Sequence, residues 1–240
     1  MLWQEDKKAT PYSVPDTVAD LSFKLISKQV PLDHAQELSD AVLKILPWIA
    51  DEPQAGVHMI HGATTGNGWN RPEDDCDDAC IYLSKRSRML MRMPKTRYEE
   101  INELIGKTIQ LNGHDVTFGE YQVKPFTPLG TLFSRYVIVG DNETEDEFVA
   151  RVASDMKAMG VNLTKALCGM GHTFKLADGP TKTMSIMVAD LDPEDSVALQ
   201  QNGIGEGRKA GFGLFLGHKG IKAVGDMSEM QHFDGTDSAT

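Results

Sequence analysis

The chain has 240 residues, 40% of them hydrophobic and 25% charged, which suffices for a buried core and suits two small domains better than one. No apolar run approaches the ~20 residues of a membrane span, the start from Met1 to Asp6 has neither the basic residues nor the apolar stretch of a secretory signal, and three cysteines make no disulfide framework. A reducing cytoplasm is the expected setting, and the net charge of −11 argues at first against a nucleic-acid partner.

Residues 1–17 are polar, carry Pro11 and Pro15, and read as a loosely attached arm. The alternation from Val18 to Ile26 predicts a strand. Asp33 with Gln36 offers a capping box, and Leu38, Val42, Ile45 and Ile49 recur at helical spacing behind it. Gly56 to His61 is a short candidate strand, and Ala79 to Met93 reads as one long strand. Thr96 and Glu99 suggest a second capping box, opening a helix that Gly106 stops. Thr108 to Val123, broken at Asn112-Gly113, predicts a hairpin.

The second half spells a similar order. Leu132 to Val139 is a strand. Thr144 and Glu147 form a third capping box, ahead of a helix ending at Gly160. Leu163 to Leu176 and Thr183 to Ala189 make a hairpin around Asp178-Gly179-Pro180, and Asp192-Pro193 opens a short helix through Gln201. A glycine loop and a last strand, Phe212 to Leu216, complete it, with a polar tail over 226–240. Each half reads strand, helix, two strands, helix, strand. That predicts an α+β fold of two tandem ferredoxin-like (βαββαβ) domains, at 18–127 and 128–225.

The acidic sum conceals a segregation. Ser84 to Arg97 holds six basic residues and no acid, and Gly203 to Ala223 holds four basic residues against Glu206 alone. Elsewhere 14 basic residues face 34 acidic ones, so two short segments can keep a local positive field inside an acidic chain. The second segment carries a glycine loop, Gly203–Gly213, whose Gly203, Gly205, Gly207, Gly211 and Gly213 let the backbone turn and let a phosphate approach main-chain N–H groups. Arg208 and Lys209 within it can neutralise that phosphate. The dinucleotide fingerprint needs glycine at 208, and a P-loop needs Gly-Lys-Ser/Thr; neither fits.

The run Gly203–Lys219, GIGEGRKAGFGLFLGHK, resembles the C-terminal glycine-rich signature of the RAMP superfamily of CRISPR-associated proteins. Within that superfamily the chain is similar to the repeat-cleaving family, CRISPR-associated protein six, and to its Myxan subtype. Asp20–Phe23, Pro31–His34, Leu46–Trp48, His58–Gly62, Ser84–Arg88 and Gly217–Lys219 carry this likeness in order, from about Val18 to Val224. The resemblance implies two ferredoxin-like domains that grip an RNA repeat, often a hairpin, and cut one phosphodiester to yield guide RNA. The acidic stretch Glu73 to Asp78 matches no feature of that family.

Metal-free RNA cleavage uses the substrate's 2′-OH as nucleophile, so it needs a proton acceptor near neutral pKa and cations for the extra phosphate charge. The family tends to place its catalytic histidine just after the first helix, where His58 and His61 sit. On an extended segment they face opposite ways, and His58 is the first choice. His34 lies in the first helical turn and could face the same cleft, though a histidine in that position is more often structural. Arg86 and Arg88, two apart on the expected long strand, would project together with Lys85 nearby. Arg208, Lys209, His218 and Lys219 complete the expected RNA-contacting set. No cofactor is expected. The expected partners are CRISPR repeat RNA, the mature guide RNA and other CRISPR effector subunits.

Three other readings compete. His58 and His61 with Cys76 and Cys80 have the ligand types of a zinc site. A non-catalytic RAMP-fold RNA-binding subunit would share the loop and basic segment but need no histidine pair. A protein-interaction ferredoxin-like module would leave the segregated charge unexplained.

Overall fold

The computed structural model describes residues 12–62 and 79–218. The first half runs β1 (Val18–Ile26), β2 (Gln29–Pro31), α1 (Ala35–Ile45), β3 (Gly56–Val57), β4 (Cys80–Tyr82), β5 (Arg88–Pro94), α2 (Tyr98–Ile101), β6 (Thr108–Leu111) and β7 (His114–Lys124). The second runs β8 (Thr131–Ile138), α3 (Glu145–Ala158), β9 (Lys165–Leu176), β10 (Gly179–Ala189), α4 (Pro193–Asn202) and β11 (Leu216–Gly217).

The first sheet has the order β3-β5-β1-β7-β6 and the second β11-β8-β10-β9, with antiparallel pairing throughout. Taking β3 and β5 as the inner hairpin strands and β7 as the last, the first order is that of a ferredoxin-like unit; the second sheet repeats it with β9, β10 and β11. The fold is therefore the expected tandem one. In the first half Phe23, Leu38, Val42, Met91 and Phe118 form the core; in the second Phe148, Val152, Met156, Ile186 and Val188 do. Between them Ala35 and Met59 pack on Tyr136, Phe174 and Phe212, so the two halves share a third, smaller apolar cluster.

Several local expectations hold. Thr144 caps α3 through a reciprocal box with Glu147, and Asn112 and Gly113 turn the β6–β7 hairpin at φ 43° and 80°. Others fail. Asp33 and Gln36 do not box the start of α1: Asp33 accepts from the Lys175 N–H at 2.8 Å and Gln36 from the Ala177 N–H at 3.2 Å, both at the far end of β9. Tertiary donors outcompete the local ones. The second expected box is also missing: α2 begins without a Thr96 cap, after a 3-10 turn over Lys95–Arg97.

The expected long strand from Ala79 to Met93 is two strands. A turn separates them, closed by Ser87 N–H to the Ser84 carbonyl at 3.0 Å and by Ser84 N–H to the Ser87 hydroxyl at 3.0 Å. β4 leaves the main sheet to pair with β2. The last strand is also shorter than expected, because the glycine loop continues to Gly213 before the chain straightens.

Candidate active site

His58 and His61 follow β3. Only the His58 N–H still bonds to β5, at the Leu90 carbonyl (3.0 Å), and beyond it strand geometry ends. The expectation that the two histidines face opposite ways therefore fails, because it presumed a regular strand through 61. Both line one cavity of about 410 Å³, with Arg86, Arg88, Lys124 and Arg135 as its cations. The histidines, Arg86, Arg88 and Lys124 come from the first half and Arg135 from β8 of the second. Lys124 and Arg135 went unnoticed in the sequence because each is a lone cation on a strand, with no cluster to mark it.

His34 builds this segment from below. Its Nδ1 lies 2.7 Å from the Pro31 carbonyl and so carries the proton, while Nε2 accepts from the Ile60 N–H at 2.9 Å. One buried neutral imidazole thus pins the backbone between the two that line the cavity. It is structural, as expected.

His58 is 7% exposed, and its Nε2 stands 3.8 Å from a carboxylate oxygen of Asp20 on β1. Asp20 is held by Arg92 on β5, at 2.9 Å from Nε and 3.1 Å from Nη2. The same guanidinium donates to the carbonyls of Gln200 and Phe215 in the second half. Arg92, one of the six basic residues of the first segment, is thus wholly interior and ties the two halves together. Burial would raise the Asp20 carboxyl, but the charge of Arg92 and the nearby His58 outweigh it and hold it well below the usual carboxylate range. For His58 burial dominates and lowers its pKa despite Asp20, with Arg92 and Arg208 adding to the effect. The resting imidazole is neutral, with Nε2 turned to Asp20.

Arg86 and Arg88 reach the cavity by a different route from the one expected. Arg86 lies in the turn before β5, and Arg88 opens the strand with Nη1 donating to the carbonyls of Lys85 and Ser87, both at 2.8 Å. Lys85 points elsewhere, into a shallow depression with Ile26, Lys28 and Leu83. Burial lowers the pKa of Arg135, whose guanidinium sits 5.4 Å above the Phe133 ring.

The glycine loop behaves unlike the cradle the sequence suggests. Gly203, Gly205, Gly207, Gly211 and Gly213 all have positive φ, as expected. Yet the N–H groups of Gly203, Ile204, Ala210, Gly211, Phe212 and Gly213 donate to carbonyls within the protein. Gly213 must lack a side chain: a Cβ there would stand 1.8 Å from the Ile204 oxygen. Arg208 donates to the carbonyls of Gln54 (3.2 Å) and Gln201 (2.8 Å), and Lys209 to those of Glu52 and of Ala55 (2.8 Å). Burial and the adjacent Arg208 lower Lys209 to about 8, while burial and Arg92 lower Arg208 to about 10. The loop is a staple between halves, with Arg208 and Lys209 donating to backbone carbonyls while the Arg208 Nε has no partner among the described residues.

His218 closes β11, its ring 6.5 Å from Phe133, while Lys219 lies outside the described residues. So does Cys76; Cys80 sits on β4 with its sulfur 3.6 Å from His114 Nε2. Among the described residues no cluster of metal-ligating side chains occurs, and no helix is long and apolar enough to cross a membrane.

Two ferredoxin-like units with a cationic, histidine-bearing cavity lined by residues of both are the architecture of a RAMP-type protein. The family model "Cas6 Crispr" matches residues 19–220. The chain belongs to the Cas6 family. It is 27% identical over 197 residues to the CRISPR-associated endonuclease Cas6 of Myxococcus xanthus (strain DK1622), covering 82% of this chain and 80% of that one. Among solved structures, a CRISPR-associated protein Cas6 superposes with a TM-score of 0.57 at 11% identity, covering 85% of this chain and 99% of the other. A Cas6-related protein from Pyrococcus furiosus gives 0.57 at 12%, covering 83% and 98%. At such identities these two speak for the fold.

Proposed function

We propose that this chain is an endoribonuclease that cuts CRISPR repeat RNA, working without a metal ion in the cytoplasm and handing on guide RNA to other CRISPR subunits. One observation carries the reading: two imidazoles and four cations line a single cavity whose described lining has no carboxylate. The family membership and the endonuclease name of the Myxococcus xanthus relative support it.

In this reading the neutral imidazole of His58 takes the proton of the 2′-OH. The freed oxygen attacks the adjacent phosphorus, the bond from phosphorus to O5′ breaks, and O5′ leaves with a proton supplied by His61 or water. The products are a 2′,3′-cyclic phosphate and a 5′-hydroxyl. Arg86, Arg88, Lys124 and Arg135 stabilise the charge that gathers on the non-bridging oxygens. Asp20, 3.8 Å from an Nε2 that has no hydrogen-bond partner among the described residues, is placed to draw into a bond that would fix the ring and leave the other nitrogen as the acceptor. Lys85 and His218 contact the backbone farther along the strand, while Arg208, Lys209 and the glycines hold the halves in register. The two units span 18–127 and 128–225.

The test is incubation with repeat RNA in excess EDTA. The expected outcome is a single cut leaving the two ends named above, blocked by a 2′-deoxy substitution at the cut nucleotide. Abolition by EDTA, or cutting that survives the deoxy substitution, overturns the mechanism.

A further inference from the structure

The second sheet has its helices on one face: Leu132, Ile186 and Val188 pack there against Phe148 and Val152 of α3 and Leu199 of α4. Their strand neighbours face the other way. On that face, whose other end packs against Ala35 of α1, Leu216, Phe133, Met187 and Leu167 are successive cross-strand partners on β11, β8, β10 and β9. Residues directly opposite one another in register share a face, so these four make one continuous apolar row across the whole sheet.

The row begins in the cavity, where Leu216 is part of the wall, and ends at the outer edge, where Leu167 is 68% exposed and Met170 on the same strand 65%. Phe133 is the aromatic of the row, with the Arg135 guanidinium 5.4 Å over its ring and the His218 ring edge-on at 6.5 Å. Arg135 also lines the cavity. At the far end Lys165 pairs with Asp190 at 2.6 Å.

We propose that this row is a docking strip for unpaired nucleotides of the RNA strand that leaves the cavity, with Phe133 as its stacking platform. The inference rests on the nuclease reading above and adds the single-stranded flank to the substrate. Three spacings between strands make the strip about 14 Å long. That holds up to about four stacked nucleotides at ~3.4 Å each. Its chemistry selects bases over a duplex. A duplex presents phosphates outermost, whereas splayed bases present flat apolar faces that an aromatic and aliphatic surface takes up. Arg135 at the cavity end serves both roles, meeting phosphate on one side and capping the aromatic platform on the other.

The experiment compares repeat RNA carrying its unpaired flanks with the same RNA trimmed of each flank in turn, measured by equilibrium binding to wild type, Phe133→Ala and Leu167→Ser. Leu167 is exposed, so its variant folds even if Phe133→Ala loosens the sheet. Trimming one flank is expected to weaken wild type about tenfold and the variants less than about threefold. Equal losses in all three proteins overturn the strip. So does a Leu167→Ser variant that changes the mass of the protein in solution and not its flank dependence, which assigns the edge to a second copy of the chain. A wild type that cuts repeat RNA yet binds it equally with and without flanks removes the strip and leaves the nuclease reading intact. A wild type that neither binds nor cuts it removes both.

Discussion

The two cationic segments look alike in the sequence and do opposite things in the fold. From Ser84 to Arg88 the chain makes a tight turn that projects Arg86 and Arg88 into an open cavity beside two histidines. From Gly203 to Gly213 it makes an equally tight loop that turns Arg208 and Lys209 inward, onto the Gln201 carbonyl of its own half and the Glu52, Gln54 and Ala55 carbonyls of the other. Positive charge near glycine or serine is therefore no measure of phosphate binding by itself. What decides is where the turn aims the side chain: Arg88 also donates to carbonyls yet lines the cavity, whereas Arg208 and Lys209 reach across to the first half.

Substitutions can break that contrast at several strengths. Gly213→Ala is the severest: its Cβ meets the Ile204 oxygen and its φ is +66°, so the loop must move. The expected result is a protein destabilised by more than ~3 kcal/mol, or insoluble, as read by thermal unfolding. Arg92→Ala strips a buried carboxylate and two carbonyls of their donor and is expected to cost about 3–5 kcal/mol. Much of that loss should be recovered when Asp20 is also replaced by leucine, since the orphaned charge then disappears.

Arg86→Ala combined with Arg88→Ala leaves the fold nearly untouched. It lowers repeat-RNA affinity and flattens the dependence of log K on log salt by about 0.7–0.9 for each phosphate no longer neutralised. Lys209→Met sharpens the contrast from the other side: it lowers the melting temperature by a few degrees and leaves the salt slope unchanged. An unchanged slope in the arginine pair, or a changed one in Lys209→Met, would reverse the assignment of the two segments.

The smallest effects come from pH. Asp20 has a depressed folded pKa, so its stabilising contribution is present above the unfolded carboxylate value of about 3.9 and is lost as pH falls further, through its folded value. Acid unfolding below about pH 4 should therefore be less steep in Asp20→Asn. His58, with its pKa lowered, is a base across the neutral range, so the cleavage rate should rise with pH only below about 6.5 and then level off.

What could be read in the sequence was local. The Thr144 and Glu147 box, the Asn112-Gly113 turn and the helical stripe of Leu38 and Val42 each need only residues a few positions apart, and each stands where expected. What could not be read depends on partners more than a hundred positions away. Asp33 and Gln36 have the spacing of a cap, yet they bind β9; Arg208 has the look of a phosphate ligand, yet it binds Gln54. The cavity was half legible. Its histidines and the Arg86–Arg88 pair were in view, whereas Asp20, Arg92, Lys124 and Arg135 acquire their roles only once strands from distant stretches are laid side by side.

The most direct test is single-turnover cutting of repeat RNA by His58→Ala and His61→Ala, each measured alongside its affinity for uncut RNA. A loss of at least about a hundredfold in rate for His58→Ala, with binding within a few-fold of wild type, is the predicted result. Undiminished cutting by His58→Ala would contradict the account, whether or not His61→Ala is impaired.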